Sequence, residues 1–182
     1  ATPWAQPPVS GYGDVVAEYA ALRRHASGTA GGAIVIDQST RSRGTFGGAK
    51  AREVLTGLVT NDVLALAPGT GCYAAALTPK GKIIADPRIF ARDDDVLVDV
   101  PAGAAAGWWG MIRKYVNPRL SRYADISADT AQFGVFGERA HAVLAAALGA
   151  AWESVAAMPM YAHRQMDGLG GGVFIARIPD LA

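Results

Sequence analysis

The chain has 182 residues, 51% of them apolar, with 17 Lys and Arg against 16 Asp and Glu. That length and apolar share allow a sizeable core in one domain or two small interleaved ones, and the charge balance argues against a bulk binder of nucleic acid or membrane surfaces, which needs a basic field. A single cysteine, Cys72, excludes an intramolecular disulfide or a zinc cluster and suits a reducing compartment.

No apolar run reaches membrane-spanning length, and "ATPWAQPPVSGYGD" lacks a basic segment followed by an apolar one. Residues 1–13 therefore read as an N-terminal arm, and the expected location is cytoplasmic. In "DVVAEYAALRRH" (14–25), Val15, Val16, Tyr19 and Leu22 recur at helical spacing behind Asp14 as N-cap. "SGTAGG" breaks that helix. "AIVID" (33–37) reads as a buried strand and residues 43–46 as a second. In "AKAREVLTGLVTNDV" (49–63), Ala51, Val54, Leu55, Leu58 and Val59 share a helical face, with Asn61 at its end.

"CYAAAL", "KIIADPRIF" and "VLVDV" follow as three strands joined by the turns "TPKG" and "ARDDD". Turns that short require antiparallel pairing. "AGAAAGWWGMIRKYV" is a helix with Trp108, Met111, Ile112 and Tyr115 on one stripe. "AQFGVFG" is a strand, "ERAHAVLAAAL" a helix ended by Gly149, and residues 158–178 two more strands around "MDGLGGG". A meander of strands with separate helices predicts an α+β fold rather than a doubly wound sheet.

Reactive groups are few. Strand alternation puts Asp86, Arg88 and Phe90 on one face and Ala85, Pro87 and Ile89 on the other. Pro87 gives no ladder hydrogen bond, so that strand is an edge or is bulged, where a sheet can aim a polar side chain into a cleft. A solvated Asp86–Arg88 pair is the simpler reading of the spacing. Tyr73, placed near Phe90 across a tight hairpin, adds an aromatic ring beside the acid, a setting for a flat polar heterocycle. His25, His141 and His163 form no ligand pair, so no metal site is expected. No serine has a nucleophile-elbow context, and "GLGGG" lacks dinucleotide-loop spacing. The basic and aromatic run "RKYVNPRLSRY" (113–123) reads as a helix end and a strand more simply than as a nucleic-acid surface.

"GLVTNDVLALAPGTGCYAAALTPKGKIIADPRIF" resembles the folate-binding superfamily of the glycine-cleavage T-protein (aminomethyltransferase), with its "TNDV" element, "L-x-x-G" turn and "TPKGKIIAD" lead into a strand. "DVP" (99–101) and "RKYV" (113–116) are similar to the YgfZ-type branch. "GVFGERA" is similar to the "G-x-x-G-P-x-A" element, with Glu138 where proline is usual. The resemblance spans residues 18–148. It implies antiparallel sheets with flanking helices in two interleaved subdomains, residues 14–50 with 125–182 and an inserted 51–124, and a C-terminal β-barrel that this chain lacks. It implies a tetrahydrofolate pocket in which Asp86 contacts the ligand and assists transfer while Tyr73, Arg88 and Phe90 line the walls.

On that resemblance the expected function is tetrahydrofolate binding of the YgfZ type, supporting iron–sulfur cluster assembly or repair. The alternatives are a folate-dependent aminomethyl or methyl transferase, and a non-catalytic subunit or fragment of a larger folate-dependent complex. The expected partners are the folate, iron–sulfur client proteins, and a partner subunit or missing C-terminal domain. The chain departs from the T-protein pattern in having Pro101 where asparagine is usual. It also has "HRQMDGLGGGVFI" where a "GYTGE" glutamate is usual. The YgfZ-type "KGCxxGQE" cysteine has no counterpart at Cys72.

Overall fold

The structure, a computed structural model, describes residues 11–26, 32–149, 153–168 and 171–179. The first elements are α1 (Val15–Ala26), β1 (Ile34–Asp37), β2 (Ser42–Gly47) and α2 (Ala51–Thr56). The central hairpins follow as β3 (Thr70–Tyr73), β4 (Ala76–Leu77), β5 (Ile83–Ala85), β6 (Arg88–Ala91) and β7 (Asp95–Val100). Then come α3 (Ala105–Tyr115), β8 (Arg122–Asp125), β9 (Phe133–Phe136), α4 (Ala140–Leu148), α5 (Glu153–Ala156), β10 (His163–Gly168) and β11 (Gly171–Ala176).

A five-stranded sheet in the order β3-β6-β7-β2-β8 forms the centre, and all its pairings are antiparallel. Three two-stranded sheets, β1-β9, β4-β5 and β10-β11, surround it. The α+β reading thus holds. β2 pairs on one side with β7 and on the other with β8.

The interruption of the strand by Asp86 and Pro87 has a topological reason. The long hairpin breaks on both strands at one level: β3 gives way to β4 after Tyr73, and β5 to β6 across Asp86 and Pro87. Here the ribbon leaves the central sheet for the β4-β5 sheet. Pro87 needs no donor at the break, while its carbonyl accepts from the Ala74 amide at 3.1 Å. Of the edge and the bulge expected from sequence, Pro87 has neither in simple form: it lies in the break between β5 and β6, and β6 itself is interior, between β3 and β7. Pro87 is also fully buried. Pro87→Val is therefore expected to cost about 1–3 kcal/mol by adding a buried amide that must find an acceptor. Urea unfolding of the variant checks this.

The two faces of the sheet differ in chemistry because side chains alternate along each strand. Cys72, Ile89, Val98 and Gly44 stand in register across β3, β6, β7 and β2 and face the core under α2 and α3. Gly44 lacks a side chain for a clear reason: a Cβ there would lie 2.5 Å from Trp109 Cη2. Phe46 stacks on Trp109 with centroids 6.2 Å apart and meets Trp108 edge-on at 6.1 Å. Trp109 Nε1–H donates to Ser42 Oγ at 2.9 Å. The α3 stripe is thus Trp108, Trp109, Met111 and Ile112, whereas Tyr115, assigned to it by spacing, is exposed.

The opposite face carries Tyr73, Arg88, Asp99 and Arg43 in one register row, followed by Gly71, Phe90, Leu97 and Thr45. A polar row inside a sheet demands partners, and it positions the site described below.

Other expectations shift locally. Asp14 caps α1, its Oδ1 accepting from the Val16 amide at 2.9 Å and the Ala17 amide at 3.3 Å. The stripe behind it is not buried, since Val15, Val16 and Tyr19 are exposed. The Leu22 and His25 side chains, most of the arm and residues 169–170 lie outside the described residues. The helix expected over 49–63 stops at Thr56, where Gly57 caps it and Val59 bridges to Ala76 instead. The "TPKG" turn closes as predicted, with the Gly81 amide donating to the Thr78 carbonyl at 2.9 Å. α4 ends at Gly149, and β10 and β11 are the two strands expected near the C-terminal end.

Candidate functional site

A cleft of about 290 Å³ opens where the hairpin changes sheets, lined by Arg41, Tyr73, Asp86, Arg88, Tyr161 and Pro179. Three of the four residues singled out from sequence, Tyr73, Asp86 and Arg88, come together in it. Tyr73 is the last residue of β3 and lies opposite Arg88, not near Phe90. Its hydroxyl donates to Asp86 Oδ2 at 2.9 Å. That bond, with the nearby carboxylate charge, raises the phenol pKa above its ordinary value. Asn61, expected to end a helix, instead donates from Nδ2 to the Tyr73 carbonyl at 3.0 Å. Tyr73 is thus held at the backbone by one residue and at the hydroxyl by another.

Phe90 is on the same sheet face but does not line the cleft. It is buried, its ring 5.7 Å from the His163 ring and 5.4 Å from Phe174, both edge-on. The register explains this. Phe90 sits opposite Gly71, one row away from Tyr73, and the β10-β11 hairpin covers that row. Gly71 must be small here, since a Cβ would lie 2.5 Å from the Ile89 carbonyl oxygen and 2.7 Å from Phe90 Cδ1.

Arg88 donates from Nη1 to Asp99 Oδ2 at 3.1 Å. Arg41 donates from Nε to both Asp99 oxygens, at 2.8 and 2.9 Å. Asp99 is 4% exposed, so it is a buried carboxylate shared by two cleft arginines. On its other side stands Arg43, also buried. Its donors reach Thr130 Oγ1 and the carbonyls of Ser39, Arg41, Ser127 and Thr130 at 2.7–3.2 Å. Burial pulls the Arg43 pKa below its usual value, against the opposing pull of Asp99 and Asp125. Arg43 clamps the loops that carry Arg41.

Tyr161 forms the far wall from a left-handed backbone with φ 60°, a conformation that costs a non-glycine residue about 1–3 kcal/mol. Its amide donates to the Arg177 carbonyl at 2.7 Å. The next turn leads to His163, whose amide donates to the Gly69 carbonyl at 3.0 Å. The His163 ring lies 4.9 Å from Phe174 and is buried, with no hydrogen-bond partner for Nδ1 among the described residues. Burial lowers its pKa, as do Arg92 and Arg164, while Asp93 opposes them.

The native state thus resists a proton that the unfolded chain accepts near its ordinary value of 6.5. Stability is expected to be complete above that pH and to fall as the pH drops below it. Thermal melts between pH 7.5 and 5 should show this fall, and His163→Phe should flatten it. An unchanged slope in that variant assigns the acid sensitivity elsewhere.

Sequence reasoning missed Arg41, Asp99 and Tyr161. A charged residue inside the apolar run "VLVDV" was a legible sign of a buried ion partner. Arg41 and Tyr161 reach the cleft from loops and left no periodic signal. Among the described residues no group of three or more His, Cys, Asp and Glu is placed to hold a metal ion, and no helix is long and apolar enough to cross a membrane.

Comparison with known proteins gives this arrangement a lineage. The chain is 28% identical over 164 residues to an aminomethyltransferase of Synechococcus sp. (strain RCC307), covering 90% of this chain and 43% of that protein. It is 27% identical over 157 residues to an aminomethyltransferase of Alcanivorax borkumensis, covering 85% of this chain and 41% of that protein. The chain therefore spans about two-fifths of the length of these relatives. The crystal structure of glycine cleavage system aminomethyltransferase T from Bartonella henselae superposes with a TM-score of 0.66 at 20% identity. That match covers 77% of this chain and 37% of the other, and it shows that the two share a fold. The GCVT N-terminal domain matches residues 11–179, which take in every wall of the cleft, and the chain belongs to that family.

Proposed function

We propose that this chain supplies the tetrahydrofolate-binding cleft of a folate-dependent one-carbon transferase of the aminomethyltransferase kind. The Tyr73–Asp86 hydrogen bond inside the cleft carries this reading. One Asp86 oxygen is engaged by a phenol, and Oδ1 has no partner among the described residues. A carboxylate so placed accepts a ligand N–H and holds it in one orientation. Tyr73 and Tyr161 offer ring surface to a flat heterocycle, and Arg41 and Arg88 add donors. The cleft volume and this donor and acceptor set fit a reduced pterin.

Tetrahydrofolate, when bound, supplies the nitrogen that takes up the one-carbon unit. The chain's part is to bind and orient it, with Asp86 as the group placed to hold or pass a proton at Oδ1. The relatives named above support the transferase alternative over a YgfZ-type role in iron–sulfur cluster maintenance. Asp86 as the catalytic residue, with Tyr73 and Arg88 as cofactor contacts, is part of this proposal. Phe90 enters it as the support beneath the hairpin that brings Tyr161 to the cleft.

Calorimetric titration with 5-formyltetrahydrofolate tests the reading. Saturable one-to-one binding is expected, and heat no different from dilution at millimolar ligand removes it.

A further inference from the structure

Arg41 is not explained by holding Asp99. Its Nε alone makes both bonds to that carboxylate, and its two Nη groups have no hydrogen-bond partner among the described residues. Its side chain is 16% exposed. It also lines two clefts, the one at Asp86 and a second of about 340 Å³ formed with Ser39, Ser42 and Asp125. Asp99 accepts from both Arg41 and Arg88, and Arg43 stands opposite it on β2. A guanidinium fixed at Nε by a buried carboxylate has lost most of its rotamer freedom, and its Nη edge is a preorganised fork for a planar pair of oxygens.

We propose that Arg41 is a carboxylate-recognising residue of the cleft and that Asp99 is the positioning residue that aims it. The ligand class is a compound bearing a carboxylate, and two sources fit: the folate's own carboxylates, or a small carboxylate that occupies the cleft as a second substrate. The choice between these sources rests on the folate reading above; the fork itself does not.

The test compares wild type, Arg41→Gln, Arg41→Lys and Asp99→Asn with three probes. These are 5-formyltetrahydrofolate, the carboxylate-free 6-methyltetrahydropterin, and acetate. Binding is read by calorimetry and by the arginine Nε–H resonances. Arg41→Gln is expected to weaken the carboxylate-bearing probe by about ten- to a hundredfold and to leave the pterin unchanged. Arg41→Lys keeps the charge beside Asp99 and so preserves the fold, but it lacks the fork and should lose most of the same affinity. Asp99→Asn should shift and broaden the Arg41 Nε–H signal and weaken carboxylate binding without abolishing it.

Loss confined to folate names its tail as the source, and loss confined to acetate names a second substrate. Acetate binding that depends on Arg41, with no folate binding, upholds the fork and removes the folate reading. Folate and acetate affinities unaffected in folded Arg41→Lys overturn the proposal while leaving the folate reading intact. Wild type that binds none of the three overturns both.

Discussion

Arg43→Met is expected to lower the unfolding free energy by about 3–5 kcal/mol, enough to unfold a marginal domain at 37 °C. The side chain is buried and its donors satisfy the carbonyls of Ser39, Arg41, Ser127 and Thr130. Methionine fills much of the volume but leaves those carbonyls without donors, and each costs about 1–3 kcal/mol when it stays dry. Asp99 and Asp125 also lose a compensating charge. Urea unfolding followed by tryptophan fluorescence measures the loss, because Trp108 and Trp109 sit under the same sheet. A change within 1 kcal/mol would show that water replaces the guanidinium and that the loops do not depend on it.

Asp86→Ala is expected to weaken binding of 5-formyltetrahydrofolate by about ten- to a hundredfold, the worth of a hydrogen bond to a charged group. The fold should survive, because Asp86 is only half-buried and lies in a break between strands. Tyr73 provides a control. Removing Asp86 removes the leading cause of its raised pKa, so the Tyr73 phenol should titrate closer to the ordinary range in the variant. A spectrophotometric titration reads that change without any ligand. Restored tyrosine titration together with unchanged folate affinity would place Asp86 in the structure of the cleft but outside its chemistry.

The two variants separate two kinds of legibility. Asp86 is visible in sequence because an acid, a proline and a base interrupt an apolar strand, and such an interruption is local. Its bond partner is visible only as an aromatic residue thirteen positions earlier. Pairing Tyr73 with Arg88 rather than placing it near Phe90 is a matter of register, and a two-residue slip moves the side chain to a neighbouring row. Tyr115 fails for a related reason: helical spacing marks a stripe, but the tertiary neighbours decide how wide the buried part is. Trp109 entered the core because Gly44 leaves room for it.

Read by itself, the sequence determined the α+β class, the antiparallel meander, the cap at Asp14, the turn at Gly81 and the interruption of an apolar strand at Asp86. All of these rest on contacts within a few residues or on periodicity along one strand. Only the tertiary structure decided that Pro87 marks a change of sheets between β5 and β6. It alone brought Arg41, Arg88 and Arg43 around Asp99, and set Tyr161 against Tyr73 from the far end of the chain. Those are encounters between residues separated by 11 to 88 positions, and the register of several strands together fixes them. A single chain's local pattern carries no record of that sum.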